Sequence, residues 1–235
     1  IAYRGILCKH NLYATETTGR LVESVTNLSI HKFLPGHLGG NQQLGAQIEH
    51  NEMDLLINEL TFYSKIDTNR IPYNFTTISA KQYFGDCAED LFMELEAKGV
   101  QFRYRNYLET DSKVIVDPEQ LRRVISNIVG NSVKYMDKSD PSITMDLKDV
   151  GDFVQIELGD NGKGIAAKDL PNIFDRFYRT DASRNSSKGG SGIGLSIVKK
   201  IVEEHGGKIW ATSEEGVGTT MYFVIRKYQE VPMNE

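Results

Sequence analysis

The sequence predicts an α+β chain in two parts: an N-terminal helical hairpin over residues 1–67 and a two-layer α/β sandwich over residues 68–235. Three observations predict it. Residues from about 5 to 66 carry almost no strand signal and repeat apolar side chains at helical spacing. From residue 80 onward, strand-like and helix-like segments alternate. Between the two lies "IDTNRIPYNFT" (66–76), a polar stretch with one proline that reads as a linker.

In the first part, Leu21, Val25 and Leu28 follow i, i+4, i+7 spacing and share one helical stripe. "FLPGHLGGNQQ" (33–43) then breaks the pattern with Pro35 and three glycines. Beyond it, Ile48, Leu55 and Phe62 recur every seven residues, and Leu56, Leu60 and Tyr63 form a second stripe. Two helices around a tight break make a hairpin whose apolar surface exceeds what one hairpin can bury. Pairing two copies into a dimeric four-helix bundle would bury it. The alternative is that the hairpin packs on the rest of its own chain.

In the second part, "AKQYFGDCAEDLFMELEAKG" (80–99) reads as a helix closed by Gly99. "VQFRYRNY" and "KVIVD" read as strands. Asp117 and Pro118 have the chemistry of an N-cap and a first helical residue for a helix over 118–136. "SITMDLKDVGDFVQIELGD" (142–160) alternates as a hairpin turning at Val150 and Gly151. "SGIGLSIVKKIVEEHGG" (191–207) is a helix with a glycine-rich mouth, and "KIWATSEEGVGTTMYFVI" (208–225) is a last hairpin. No internal repeat is present.

The totals narrow the classes of function. A chain of 235 residues with 40% hydrophobic content can bury a core, and a net charge of −5 argues against a general nucleic-acid binder. Cys8 and Cys87 match no metal-ligand spacing and form no disulfide framework, as expected of a reducing cytosol. No apolar run approaches the ~18 residues of a membrane span. A chain that starts at Ile1 reads as a fragment, so any membrane anchor is expected upstream of a cytoplasmic core.

Four patches carry polar groups or glycines at element ends. In "NIVGNSVKY" (127–135), Asn127 and Asn131 share a helix face, with Lys134 a turn further on. An amide oxygen is a neutral hard ligand suited to a magnesium ion that takes its other ligands from water and phosphate. In "GDNGKGI" (159–165), Asp160 can accept from an exocyclic amine while Gly162 and Gly164 leave bare backbone for a flat ring. "SKGGSGIGLS" (187–196) opens a helix with Gly189, Gly190, Gly192 and Gly194, presenting N–H groups and the positive dipole end to an anion. It is neither a Rossmann nor a Walker A loop. "IFDRFYRTDASRNSSKGG" (173–190) has Phe174 and Phe177 as anchors on an otherwise polar segment, the composition of a lid over phosphates. Each has a bland alternative: a hydrated helix face, an Asx turn, a surface loop.

Taken in order, the patches resemble the sensor histidine kinases, over about residue 40 to the end and most closely over 118–225. "NIVGNSVKY" resembles that family's N box, "DNGKGI" its G1 box, "IFDRFYR" its F box, "GGSGIGLS" its G2 box and "EEGVGTT" (214–220) its last glycine motif. "LLINELTFYSKID" (55–67) resembles the end of the second dimerisation helix. The resemblance implies a Bergerat-type ATP site with Mg²⁺ on Asn131 and the phosphates near Asn127 and Lys134. It places Tyr135 by the adenine and ribose, Asp160 on the adenine amine and Gly162 and Gly164 beside the ring. Arg179 would reach the γ-phosphate, Gly190, Ser191, Gly192, Ile193, Gly194 and Leu195 would wrap the triphosphate, and Thr219 and Thr220 would line the back of the site.

The same resemblance implies a homodimer that autophosphorylates a histidine and passes the phosphoryl group to an aspartate on a response-regulator receiver domain. The usual motif around that histidine is not matched. The best candidate is His10 in "KHNLYATE", which lies roughly seven helical turns before Pro35. Asn11 stands where the family has an acidic general base. The alternative is a degenerate kinase that uses its nucleotide site as a switch or dimerisation partner, without phosphotransfer. A serine kinase of the anti-sigma type also fits the ATP boxes, but fits the hairpin less well.

Overall fold

Two side-chain caps start the long helices of the second half. Ser79 accepts the Gln82 N–H at the head of α1 (Ala80–Ala97), and Asp117 accepts the Glu119 and Gln120 N–H groups at the head of α2 (Pro118–Lys134). The computed structural model describes residues 12–15, 20, 22–24, 27–33, 73–180 and 192–229. By contacts the chain forms two units: residues 1–69 with 179–193, and residues 70–178 with 194–235.

The first unit differs from the expected hairpin. Tyr13–Thr15 (β1) and His31–Phe33 (β2) pair in parallel, Tyr13 opposite His31, with residues 20 and 22–24 helical between them. Leu12 and Ile30, which lead into the strands, are buried. Glu23 accepts the Ile30 N–H at 3.0 Å and the Lys32 ammonium at 2.5 Å, and the Lys32 bond holds its carboxyl below the ordinary range. One long helix through residues 5–33 is therefore not what forms. The stripe of Leu21, Val25 and Leu28 lasts only two turns, and the flanking "LYAT" and "SIHKF" are rich in strand formers that satisfy each other's backbone across a short crossover. The helical hairpin, and the dimeric four-helix bundle built on it, are not seen among the described residues. The heptad stripe of Ile48, Leu55 and Phe62, the break at Pro35 and the candidate acceptor His10 lie outside the described residues.

In the second unit the elements follow the sequence closely. After α1, which ends before Gly99 at φ +69°, come β4 (Gln101–Asn106), β5 (Lys113–Val116) and α2. β6 (Ser142–Val150) and β7 (Phe153–Asp160) form the hairpin turned by Gly151, and α3 (Gly194–Glu204) leads to β8 (Lys208–Glu214) and β9 (Gly218–Arg226). A 3₁₀ turn covers Leu170–Asn172. The five-stranded sheet runs β4-β6-β7-β9-β8, parallel only between β4 and β6. One strand was not expected: β3 (Thr76–Ser79) pairs antiparallel with β5. Its four residues are too few to show alternation, and only Thr76 fell within the stretch read as a linker.

The core lies between one sheet face and the helices. Met145, Leu147, Val154, Ile156, Leu158, Phe223 and Ile225 from the strands are buried, as are Leu121, Val124, Ile128, Ile197, Val198 and Ile201 from α2 and α3. At about 1.5–3 kcal/mol for each large apolar side chain buried, this layer dominates the unit's stability. The other sheet face carries a cross-strand row of Trp210, Tyr222, Glu157, Asp146 and Arg105. Trp210 stacks on Tyr222 with centroids 5.4 Å apart, and Arg105 grips both oxygens of Asp146 at 2.7 and 2.6 Å. The mixed sheet with helices on one face is the expected two-layer sandwich.

His205 closes the end of α3. Its Nε2 accepts the Asp117 N–H at 2.9 Å, so Nδ1 carries the proton and donates to the Ile201 carbonyl at 2.7 Å. Tyr73 and Phe75 meet its ring edge-on, and burial pushes its pKa below 6.5. Burial also pushes the Tyr73 phenol up to about 12. A neutral imidazole thus closes this helix end, since charging it in this apolar setting would cost too much desolvation.

Candidate nucleotide site

Sheet register builds the site's floor. Asp160 at the end of β7 faces Thr219 on β9, and Thr219 faces Ser213 on β8, so the three share one cross-strand row. Asp160 is held by three donors. Its Oδ2 accepts from the Ser132 hydroxyl at 2.7 Å, and its Oδ1 accepts from the Gly162 N–H at 2.9 Å and the Thr219 N–H at 3.4 Å. Ser213 Oγ accepts the Ile165 N–H at 2.8 Å and lies 2.8 Å from both the Gly218 carbonyl and Thr219 Oγ1.

The glycines at the site are required by close approach. A Cβ on Gly162 would stand 3.0 Å from both Asp160 Oδ1 and the Tyr135 carbonyl. Gly164, at φ +69°, would drive a Cβ to 2.0 Å from the Glu214 carbonyl oxygen. That contact and the Gly216 N–H donating to Lys163 O at 2.7 Å fasten the loop after β7 to the β8–β9 turn, and Lys138 Nζ, on the loop after α2, donates to Gly216 O at 2.7 Å. The result is a carboxylate over bare backbone, the surface the sequence anticipated for a flat ring bearing an amine.

The α2 side contributes the amides. Asn127 donates through Nδ2 to the Arg123 carbonyl at 3.0 Å, which fixes the amide and turns Oδ1 outward. A Cβ on Gly194, the first residue of α3, would lie 3.4 Å from that Oδ1. A hard oxygen thus stands at the N-terminal mouth of a helix, where the first N–H groups lack intrahelical partners. Asn131 follows one turn along α2 and is partly exposed, and Lys134 Nζ lies 5.4 Å from the Tyr135 ring centroid. This donor set fits a magnesium–nucleotide complex: amide oxygens for the cation and helix-end N–H groups for phosphate. Leu195 occupies the second position of α3, half-buried.

Other candidate residues fall elsewhere. Arg179, Gly192 and Ile193 belong to the first unit; Gly192 has φ +70° and Ile193 is buried. Gly190 and Ser191, with most of the candidate lid, lie outside the described residues. At the start of that segment the buried anchor is Ile173, while Phe174 and Phe177 are only half-buried. Thr220 is a correction. It pairs with Gly159, and a Cβ on Gly159 would lie 3.2 Å from Thr220 Oγ1 and 3.0 Å from Thr144 Oγ1. Side chains alternate along a strand, so Thr220 points to the sheet face opposite Thr219 and does not line the site.

Two contributors went unread in the sequence, Ser132 and Ser213. Ser132 is a buried polar residue that continues the apolar stripe of Leu121, Ile125, Ile128 and Val129 on α2. A hydroxyl on a core stripe demands a buried partner, and that was the available signal. Ser213 had none, because only the β8–β9 register brings it beside Thr219.

The chain is similar in sequence and fold to known proteins. Residues 116–229 match the family of histidine kinase-, DNA gyrase B- and HSP90-like ATPases, and residues 3–78 match an MGS-like domain. A sensor histidine kinase WalK of Bacillus subtilis is 35% identical over 186 residues, 79% of this chain and 30% of the relative. A sensor protein kinase WalK of Staphylococcus aureus is 33% identical over 179 residues, 75% of this chain and 42% of the relative. The chain therefore spans less than half the length of either. Among solved structures, the catalytic domain of histidine kinase ThkA aligns with a TM-score of 0.55 at 26% identity, covering 66% of this chain and 98% of that one. Full-length ShkA, solved with AMPPNP, shares the fold with a TM-score of 0.66 at 20% identity over 91% of this chain and 42% of its own. Residues 116–229 thus form an ATPase domain of the histidine kinase-, DNA gyrase B- and HSP90-like type, and over about three quarters of its length the chain is similar to sensor histidine kinases.

Proposed function

We propose that this chain is the kinase core of a two-component sensor. It binds Mg²⁺·ATP, transfers the γ-phosphoryl group to a histidine in a homodimer and donates it onward to an aspartate of a response-regulator receiver domain. The observation that carries the proposal is Asp160, held by three donors over the bare backbone of Gly162 and Gly164. Asp160 takes the adenine amine, Asn127 and Lys134 meet the phosphates, and Tyr135 lies beside the base and ribose. Asn131 ligates the cation, and Gly190 to Leu195 wrap the phosphates with Arg179 at the γ-phosphate. Bound magnesium supplies charge neutralisation at the transferred phosphoryl.

His10 is the acceptor the sequence nominates, although the uninterrupted helix that supported it is replaced by β1 and β2. His205 is unsuitable, being buried with both ring nitrogens engaged. Incubation with γ-labelled ATP and Mg²⁺ is expected to give an acid-labile, base-stable label that His10→Gln removes. A label that survives moves the acceptor to His31, His37 or His50. No label on material that binds ADP refutes phosphotransfer, and no ADP binding refutes the nucleotide site itself.

A further inference from the structure

We infer that Ser132 is a positioning residue that makes the site select a 6-amino purine. Each carboxylate oxygen accepts about two hydrogen bonds. On Asp160, Oδ1 already takes two backbone N–H groups, from Gly162 and Thr219, and Oδ2 takes the Ser132 hydroxyl. One acceptor direction remains, on Oδ2, beside Ser132. A ligand that offers a donor there completes the set, whereas one that offers a carbonyl oxygen meets a second acceptor. Ser132 therefore occupies one of the two directions on Oδ2 and restrains the carboxylate's rotation, leaving the other for an incoming amine. The bond spans 28 residues at 2.7 Å, and Ser132 is only 9% exposed, so water competes little for it.

Resting on the adenine-nucleotide reading proposed above, the inference is tested by calorimetric titration of the full chain with Mg²⁺ and three diphosphates. These are ADP, purine riboside diphosphate, which lacks the 6-amino group, and IDP, which carries a 6-oxo group. Wild type is expected to prefer ADP. Ser132→Ala is expected to weaken ADP about tenfold, the scale of one hydrogen bond to a charged acceptor, and purine riboside diphosphate by less than about threefold. The preference of ADP over IDP narrows with it, and Ser132→Thr restores it. Equal weakening of ADP and purine riboside diphosphate, or no weakening of ADP, overturns the inference while leaving the nucleotide site intact. A wild type that binds the three alike overturns both. Ser132→Cys, a weaker donor of similar size, gives the same comparison should the alanine variant fold poorly.

Discussion

Gly164→Ala is the sharpest test of how the site is built. The residue sits at φ +69°, where an alanine costs about 1–2 kcal/mol from backbone sterics alone. Its new Cβ would also stand 2.0 Å from Glu214 O and 2.7 Å from Glu214 C, both backbone atoms that no side-chain rotation can clear. Relief requires moving the β8–β9 turn until the contact reaches 3.4 Å, which strains the 2.7 Å Gly216–Lys163 bond and the 2.8 Å Ile165–Ser213 bond. At about 1 kcal/mol for each hydrogen bond, the contact adds about 2 kcal/mol to the backbone cost. Gly151→Ala isolates that addition, since Gly151 has φ +62° and nothing within 4 Å of its Cβ position. The smaller entropy of the alanine chain when unfolded is common to both variants and cancels. Urea unfolding followed by the fluorescence of Trp210, the chain's one tryptophan, reads the sheet directly. The expected result is a loss about 2 kcal/mol larger for Gly164→Ala, with weaker ADP binding for that variant only. Equal losses would refute the packing of the Gly164 loop against the β8–β9 turn.

Two further outcomes follow from the same geometry. Thr219→Val is expected to weaken ADP binding severalfold by removing a hydroxyl bonded to Ser213, while Thr220→Val, on the opposite sheet face, changes it less than about twofold, both read by titration. Burial lowers the pKa of His205 below 6.5, so the unfolded chain takes up a proton before the folded one does. Stability is thus full above about pH 6.5 and falls as the pH drops toward the folded value, and urea midpoints between about pH 7 and pH 5 should show a steeper decline than in His205→Gln.

The chemistry of the site was legible wherever it is local. Asn127 and Asn131 share a face because a helix repeats every ~3.6 residues. Asp160 between Gly159 and Gly162 announces a carboxylate beside bare backbone, and Asp117 followed by Pro118 announces a helix start. Such signals need only neighbouring residues, and α1, α2, α3 and the two hairpins of the second half followed from them. The first part shows the limit of periodicity. Three residues at helical spacing describe two turns, and whether the flanking "LYAT" and "SIHKF" extend the helix or pair as strands depends on each other's presence 18 residues away.

By itself, then, the sequence determined the alternation of elements, the glycines that open the site and residue types whose chemistry suits a cation, a phosphate and a base. Tertiary structure alone decided which hydroxyl holds Asp160, which of Thr219 and Thr220 faces it, and that Ser213 ties β8 to the loop after β7. Those are questions of register and of contacts 28 to 59 residues apart. A one-residue slip of β9 would exchange its two faces while leaving every local propensity unchanged, so only the assembled sheet selects between them.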